Sequence, residues 1–265
     1  MTSDSDRPKS DRQILHEQME ASLHEYERDN RSLFLSSIAA GLEIGFSVFL
    51  MAALYTHFHD LVGEQLLHFI ISLSYPIGFV LVIIGRADLF TEHTTLAILP
   101  VLDRAQRRRD LARIWAVIYT GNLLGAFAFS VIFVRFIELS HNVDNSALSY
   151  YGAKLIADSN SGLFLGAVFA GWLMGLLGWV VASSSDTIGR IVVIVVITFV
   201  IGLGGLAHCI AGAVAIFSAW LDTGSTIGVI DVIRFLAIAT LGNAIGGSVF
   251  VGLLKYGYIA TRRQQ

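Results

Sequence analysis

Six apolar stretches dominate the chain: Leu33 to Phe58, Leu66 to Leu99, Ile114 to Ile137, Leu163 to Ala182, Ile191 to Trp220 and Val232 to Tyr258. A helix needs about 20 mostly apolar residues to cross a hydrocarbon core about 30 Å thick. The pattern therefore predicts an all-α integral membrane protein with six transmembrane helices. Residues 33–258 form the membrane domain, 1–32 an N-terminal tail and 259–265 a C-terminal tail. Between residues 11 and 32, Ile14, Leu15, Met19, Leu23 and Tyr26 make a rough apolar stripe among Glu and Arg. That stripe predicts an amphipathic helix, packed on its own bundle or against a neighbouring subunit.

Composition sharpens this picture. Of 265 residues, 54% are hydrophobic and only 15% charged, against roughly a quarter charged in soluble domains. The charges cluster outside the apolar stretches, so no large soluble domain remains. The first 32 residues lack an apolar stretch with a small-residue cleavage site, so no cleaved signal peptide is expected. The lone Cys209 lies inside a stretch and offers no disulfide framework. A net charge of −3 gives no sign of a nucleic-acid partner.

Lys and Arg set the expected orientation. The connection after the second stretch holds Arg104, Arg107, Arg108, Arg109 and Arg113, and the N-terminal tail Arg7, Lys9, Arg12, Arg28 and Arg31. Arg190 lies between stretches four and five, and Lys255, Arg262 and Arg263 come at or after the end of the sixth. With six crossings all of these fall on one side. The opposite loops, around Asp60 and Glu64, from Glu138 to Asn160 and around Asp222, carry only Lys154. Both termini are expected in the cytoplasm, in a cell inner membrane.

The chain also repeats itself. Gly121-Asn122-Leu-Leu-Gly125 with Phe129, and Gly242-Asn243-Ala-Ile-Gly246 with Phe250, place GNxxGxxxF at matching positions of two three-span halves. Three is odd, so the second half enters the membrane inverted, a design typical of transport proteins. Close helix packing accounts for the glycines but not for an Asn at the same place twice. The second stretch of each half is long and interrupted, by Gly85-Arg86-Ala-Asp88-Leu-Phe-Thr91-Glu92-His93 and by Gly202-Leu-Gly204-Gly205-Leu-Ala-His208. Such segments predict broken helices 2 and 5 that line a site.

Ionisable residues at membrane depth point to function. Glu43, Arg86, Asp88, Glu92, His93 and His208 are the candidates. His208, among small residues, has room beside it and could exchange a proton near neutral pH; packing is its other reading. Glu92 and His93 could pair with Arg86 across the break, in a charge cluster with Asp88, and Glu43 could face an intersubunit contact, a cavity or Arg86 as a counter-charge. No HExxH, GxSxG, P-loop or zinc-spaced Cys/His cluster occurs, so no enzyme, metal or cofactor is expected. The paired Asn-Pro-Ala signature of aquaporins is absent as well.

Ala87-Asp88-Leu89-Phe90-Thr91, Gly205-Leu-Ala-His208-Cys-Ile-Ala211 and Gly242-Asn243-Ala-Ile-Gly246-Gly247 occur in the order and spacing of one family. Over residues 33–258 the chain resembles the formate/nitrite transporters, pentameric anion channels. The resemblance implies an aquaporin-like protomer, one pathway in each of five protomers, and Thr91 on the loop that interrupts helix 2. The pathway residues it implies are His208 at the centre, Thr91, Asn243 and Phe90 near it, Tyr75, Phe79 and Ile201 as apolar constrictions, and Lys154 as a basic vestibule residue. Glu92 and His93 replace the usual small hydroxyl residues, Arg86 a small or apolar one, and Gly171 a frequent Asn. In this the chain looks like the family's inner-membrane members with an LFTE motif.

The expected function is passage of a small monovalent anion, or of its neutral acid, through a homo-oligomer in a lipid bilayer. The alternatives are a channel for a neutral or cationic solute and a non-transporting scaffold or sensor.

Overall fold

A computed structural model describes residues 8–140 and 142–261. Arg7, Arg262 and Arg263 of the orientation argument, and the end of the C-terminal tail, lie outside the described residues. Among those residues the regular structure is entirely helical. Five helices are long and apolar enough to cross a membrane: Asn30–Phe58, Glu64–Gly85, Arg108–Ser140, Asn160–Ser183 and Val229–Thr261. Thr187–Leu203 and Cys209–Leu221 are apolar but shorter.

The amphipathic segment folds as α1 (Asp11–Glu27), started by a capping box between Ser10 and Gln13. It stops before α2 (Asn30–Phe58), whose first amides, of Arg31 and Ser32, donate to the Asp29 carboxylate at 3.0 Å each. The stripe packs on the protein's own bundle: Ile14 and Leu15 are buried with Leu99, Trp179 and Ile259. The Tyr26 hydroxyl donates to the Ala97 carbonyl at 2.6 Å, and burial pushes this phenol up to about 12, so it remains a donor.

The second apolar stretch is a chain of pieces. α3 (Glu64–Ser74) bends at Tyr75 into α4 (Pro76–Gly85), the chain is extended through Leu89, and α5 (Phe90–Leu96) and α6 (Leu99–Leu102) follow. Pro76 starts α4 because its missing N–H falls where a helix start has no partner to lose. The Ser47 hydroxyl bridges the bend, accepting from the Gly78 amide at 2.9 Å and donating to the Tyr75 carbonyl at 2.6 Å.

α7 (Arg108–Ser140) runs uninterrupted. The segment expected as a loop from Glu138 to Asn160 instead holds α8 (Asn145–Ala157), capped by Asp144. The Ser146 backbone amide donating to that carboxylate holds it below the usual carboxylate range. α9 (Asn160–Ser183) and α10 (Thr187–Leu203) precede α11 (Cys209–Leu221), which is buried along almost its whole length and is built largely of small residues. α12 (Val229–Gly247) passes through a π-helical segment, Ser248–Leu253, into α13 (Leu254–Thr261).

Glycine sets the two closest helix contacts. A Cβ on Gly41 of α2 would lie 2.2 Å from the Asn122 carbonyl oxygen of α7, and one on Gly125 would lie 2.2 Å from that of Ile38. α9 and α12 repeat this: Gly171 against Asn243 and Gly246 against Val168, again 2.2 Å each. Only residues without a Cβ allow backbones this close.

Candidate functional site

Two helix breaks build the site, and they share their backbone chemistry. α4 ends with Arg86 at φ 60°, and just beyond α10 Gly205 stands at φ 59°. In each case the next amide reaches back to close the helix: Ala87 to the Val82 carbonyl and Leu206 to that of Ile201, both at 3.0 Å. The extended residues beyond each break are held by an asparagine on a neighbouring helix. Asn122 Oδ1 accepts from the Phe90 amide at 2.8 Å, while its Nδ2 donates to the carbonyls of Ser37 and Asp88, 2.8 Å each. Asn243 Oδ1 accepts from the Cys209 amide at 2.8 Å, and its Nδ2 donates to Ala167 at 2.7 Å and Ala207 at 2.8 Å. Both asparagines are fully buried and all their bonds go to backbone.

The breaks bring His208 and Thr91 together. Thr91 lies in the first turn of α5, not on the loop before it, because Phe90 already begins the helix. His208 caps α11: its Nδ1 accepts from the Ala211 amide at 3.1 Å. An amide can only donate, so Nδ1 carries no proton and Nε2 does. Nε2 stands 2.8 Å from Thr91 Oγ1 and donates to it. The cap leaves the ring no nitrogen free for a second proton unless the Ala211 bond opens. The Phe79 ring meets the imidazole edge-on with centroids 5.0 Å apart, and Tyr75 packs on Phe79 at a tilt, with centroids 5.2 Å apart.

A cavity of about 140 Å³ leads to His208. Tyr75, Ile201, Ala207 and Phe235 line it, and Tyr150, Tyr151 and Lys154 of α8 contribute to its lining from the connection between α7 and α9. Lys154 is exposed, with Nζ 2.5 Å from the Tyr150 hydroxyl. Asp158 lines the cavity too.

The remaining expected site residues lie elsewhere. Asn243 grips backbone and does not line the cavity. Phe90 packs on Trp115 and Tyr119, with ring centroids 6.0 and 5.0 Å away. The expected pairing around Arg86 is replaced by another. Arg86 is exposed at its left-handed position, while Asp88 is buried and bound by Arg28 from the end of α1 at 2.9 Å. Arg28 also holds Glu25 at 2.6 Å, and His93 Nε2 stands 3.4 Å from Asp88. Glu92 leans its carbon stem towards Gly178 of α9. The Glu43 Oε2 is buried with no hydrogen-bond partner, beside Gly85.

Sequence reasoning passed over three contributors. α8 was hidden in a short polar connection. Arg234 of α12 anchors the turn after α8, donating to the Asn160 side chain at 2.6 Å and to the carbonyls of Ile156 and Asp158. His68 contacts the Leu203 carbonyl at 2.9 Å beside the cavity. An Arg within an apolar stretch was the available signal for Arg234.

The formate/nitrite transporter family model matches residues 12–257. The chain belongs to the formate/nitrite transporter family. It is 31% identical over 260 residues to the inner membrane protein YfdC of Escherichia coli, covering 97% of this chain and 81% of that protein. Among solved structures, an FNT family ion channel superposes with a TM-score of 0.83 at 21% identity, covering 94% of this chain and 98% of the other. A pentameric formate channel with formate bound gives a TM-score of 0.75 at 23% identity, covering 88% and 98%. This member of the formate/nitrite transporter family is thus a multi-pass membrane protein with a channel fold.

Proposed function

We propose that this chain is a channel for small monovalent anions of the formate, nitrite and hydrosulfide class, or for their neutral acids. The observation that carries the reading is the buried Nε2–H of His208, 2.8 Å from Thr91 at the inner end of the cavity. Lys154 near the mouth raises local anion concentration. Farther in, Tyr75, Phe79 and Ile201 strip water from the solute. Desolvation costs an anion far more than a neutral acid, so it favours the protonated solute. His208 Nε2–H and the Thr91 hydroxyl then offer hydrogen bonds to its oxygen or sulfur. His208 serves as a neutral donor, and the proton comes from water in the vestibule.

The architecture in this reading is six crossings in two inverted halves, with helices 2 and 5 broken. The paired left-handed residues Arg86 and Gly205, and the paired anchors Asn122 and Asn243, support it. α10 and α11 together make one crossing, and α3 to α5 another. Both termini face the cytoplasm, as the basic connections favour. The chain assembles as a pentamer in the inner membrane, by analogy with the similar pentameric formate channel, and native mass spectrometry tests this.

Flux of formate, nitrite, hydrosulfide and ammonium into liposomes containing the purified protein tests the function. Anion flux is expected. Ammonium flux alone would favour the cationic reading, to which the acidic residues around Asp88 point, and no flux of any solute would favour a scaffold.

A further inference from the structure

Away from the cavity, the end of α1 meets the first helix break, and there His93 presents an unsatisfied nitrogen. The residue is 4% exposed. Its Nδ1 lies 3.0 Å from the Leu89 carbonyl, which can only accept, so Nδ1 carries the proton. In the neutral ring Nε2 is then a bare lone pair. It has no hydrogen-bond partner, and Asp88 Oδ1 lies 3.4 Å away. A lone pair this close to a carboxylate oxygen is repulsive unless a positive centre serves both.

Arg28 Nη1 donates to the same Oδ1 at 3.1 Å but makes no bond with the ring nitrogen, which leaves a proton or a metal ion as that centre. A proton would draw the pair to about 2.7–2.9 Å, the length of a charge-assisted hydrogen bond. Two donors each about 2.1 Å from one metal ion, at a tetrahedral angle, stand about 3.4 Å apart. Glu25 supplies a third donor, and the ligand atoms of Glu25, Asp88 and His93 all lie within 4.8 Å of one another. The surroundings suit a cation. The Leu89 carbonyl fixes the ring in the metal-binding tautomer, and Arg28 orients both carboxylates, touching Glu25 at 2.6 Å and Asp88 at 2.9 Å. Arg28 is the one Arg or Lys ion-paired with these carboxylates among the described residues. Its single charge cannot balance both Glu25 and Asp88.

We propose that Glu25, Asp88 and His93 bind one divalent transition-metal ion, which staples the N-terminal helix to the first helix break. One imidazole and two carboxylates, without sulfur, suit zinc, cobalt or manganese, with water completing the shell.

The test uses the full chain in detergent, freed of any affinity tag and stripped with a chelator that is then removed. Titration with Co²⁺ should give visible absorption bands that saturate at one ion per chain and are displaced by Zn²⁺. The bands should vanish in His93→Gln, and Glu25→Gln, a change on half-buried α1, should weaken binding by at least about tenfold. Zn²⁺ should also slow proteolytic removal of α1 in the wild-type chain but not in Glu25→Gln. No binding by the wild-type chain would overturn the proposal. Affinity unchanged in both variants would do the same by placing the ion elsewhere.

Discussion

Arg86 and Gly205 adopt the same left-handed backbone conformation, φ 60° and 59°, at the ends of the two helices that break inside the fold. The conformation costs a residue with a Cβ roughly 1–2 kcal/mol and glycine almost nothing. A Cβ on Gly205 would meet no atom within 4 Å, so Gly205→Ala reads the backbone cost alone. Gly205→Ala should destabilise the protein by about 1 kcal/mol, and Arg86→Gly should stabilise it by a similar or smaller amount. Opposite shifts in thermal unfolding in detergent are the expected result. A loss of stability in Arg86→Gly would show that the arginine side chain contributes a contact worth more than its strain.

Asn122 and Asn243 act on the backbone of the breaks. Truncation of either leaves one amide and one extended-segment carbonyl without partners in a buried setting, Phe90 and Asp88 or Cys209 and Ala207, while the Ser37 and Ala167 carbonyls keep their bonds within α2 and α9. Each such group costs about 1–3 kcal/mol. Asn122→Ala and Asn243→Ala should therefore both lose folded protein, by at least about 2 kcal/mol. Fluorescence-detected size exclusion after heating measures this. A stable Asn243→Ala protein with altered solute preference would return Asn243 to the solute pathway.

The apolar pattern located the main helices because a membrane enforces length and composition together. The breaks were legible too, since runs of glycine and ionisable residues interrupt the second and fifth stretches at matching positions of the two halves. The roles of the polar residues were harder to read. An intramembrane Asn has the same sequence signature whether it faces a solute or a backbone, and only the fold puts Asn243 against Ala167 and Ala207. The partner of Asp88 was out of reach for a related reason: Arg28 lies far away in sequence and arrives only because α1 folds back over the bundle. α8 was legible in principle, since Ala147, Leu148, Tyr151 and Gly152 form a buried stripe at helical spacing, but at 13 residues it is too short to cross a membrane and so did not register as an apolar stretch.

Lys154 acts at long range in the proposed channel. It is exposed, so its charge is screened by salt. Lys154→Ala should lower anion entry severalfold at low ionic strength, and Lys154→Glu should lower it further. Initial rates of formate or nitrite flux should converge with the wild type as salt is raised through the range in which the Debye length falls to about 3 Å. A deficit that persists at high salt would mean that Lys154 binds the solute directly.

His208 and Thr91 allow the sharpest test. His208→Phe fills the inner end of the cavity with an apolar ring and removes the α11 cap, so flux should be abolished. Thr91→Val removes the hydroxyl that meets Nε2 at 2.8 Å and should reduce flux while the protein stays assembled. His208→Asn is the informative change. Its side-chain oxygen can accept from the Ala211 amide as Nδ1 does now, preserving the cap, and its Nδ2 still offers a donor towards Thr91. With His208 as a neutral hydrogen-bond donor, flux in His208→Asn should persist, and its pH profile should follow the acid–base equilibrium of the solute as in the wild type. Flux measured across pH for two solutes of different acidity separates the possibilities. A profile flattened in His208→Asn for both solutes would make the imidazole itself the titrating group, with the Ala211 bond opening each time it takes a proton.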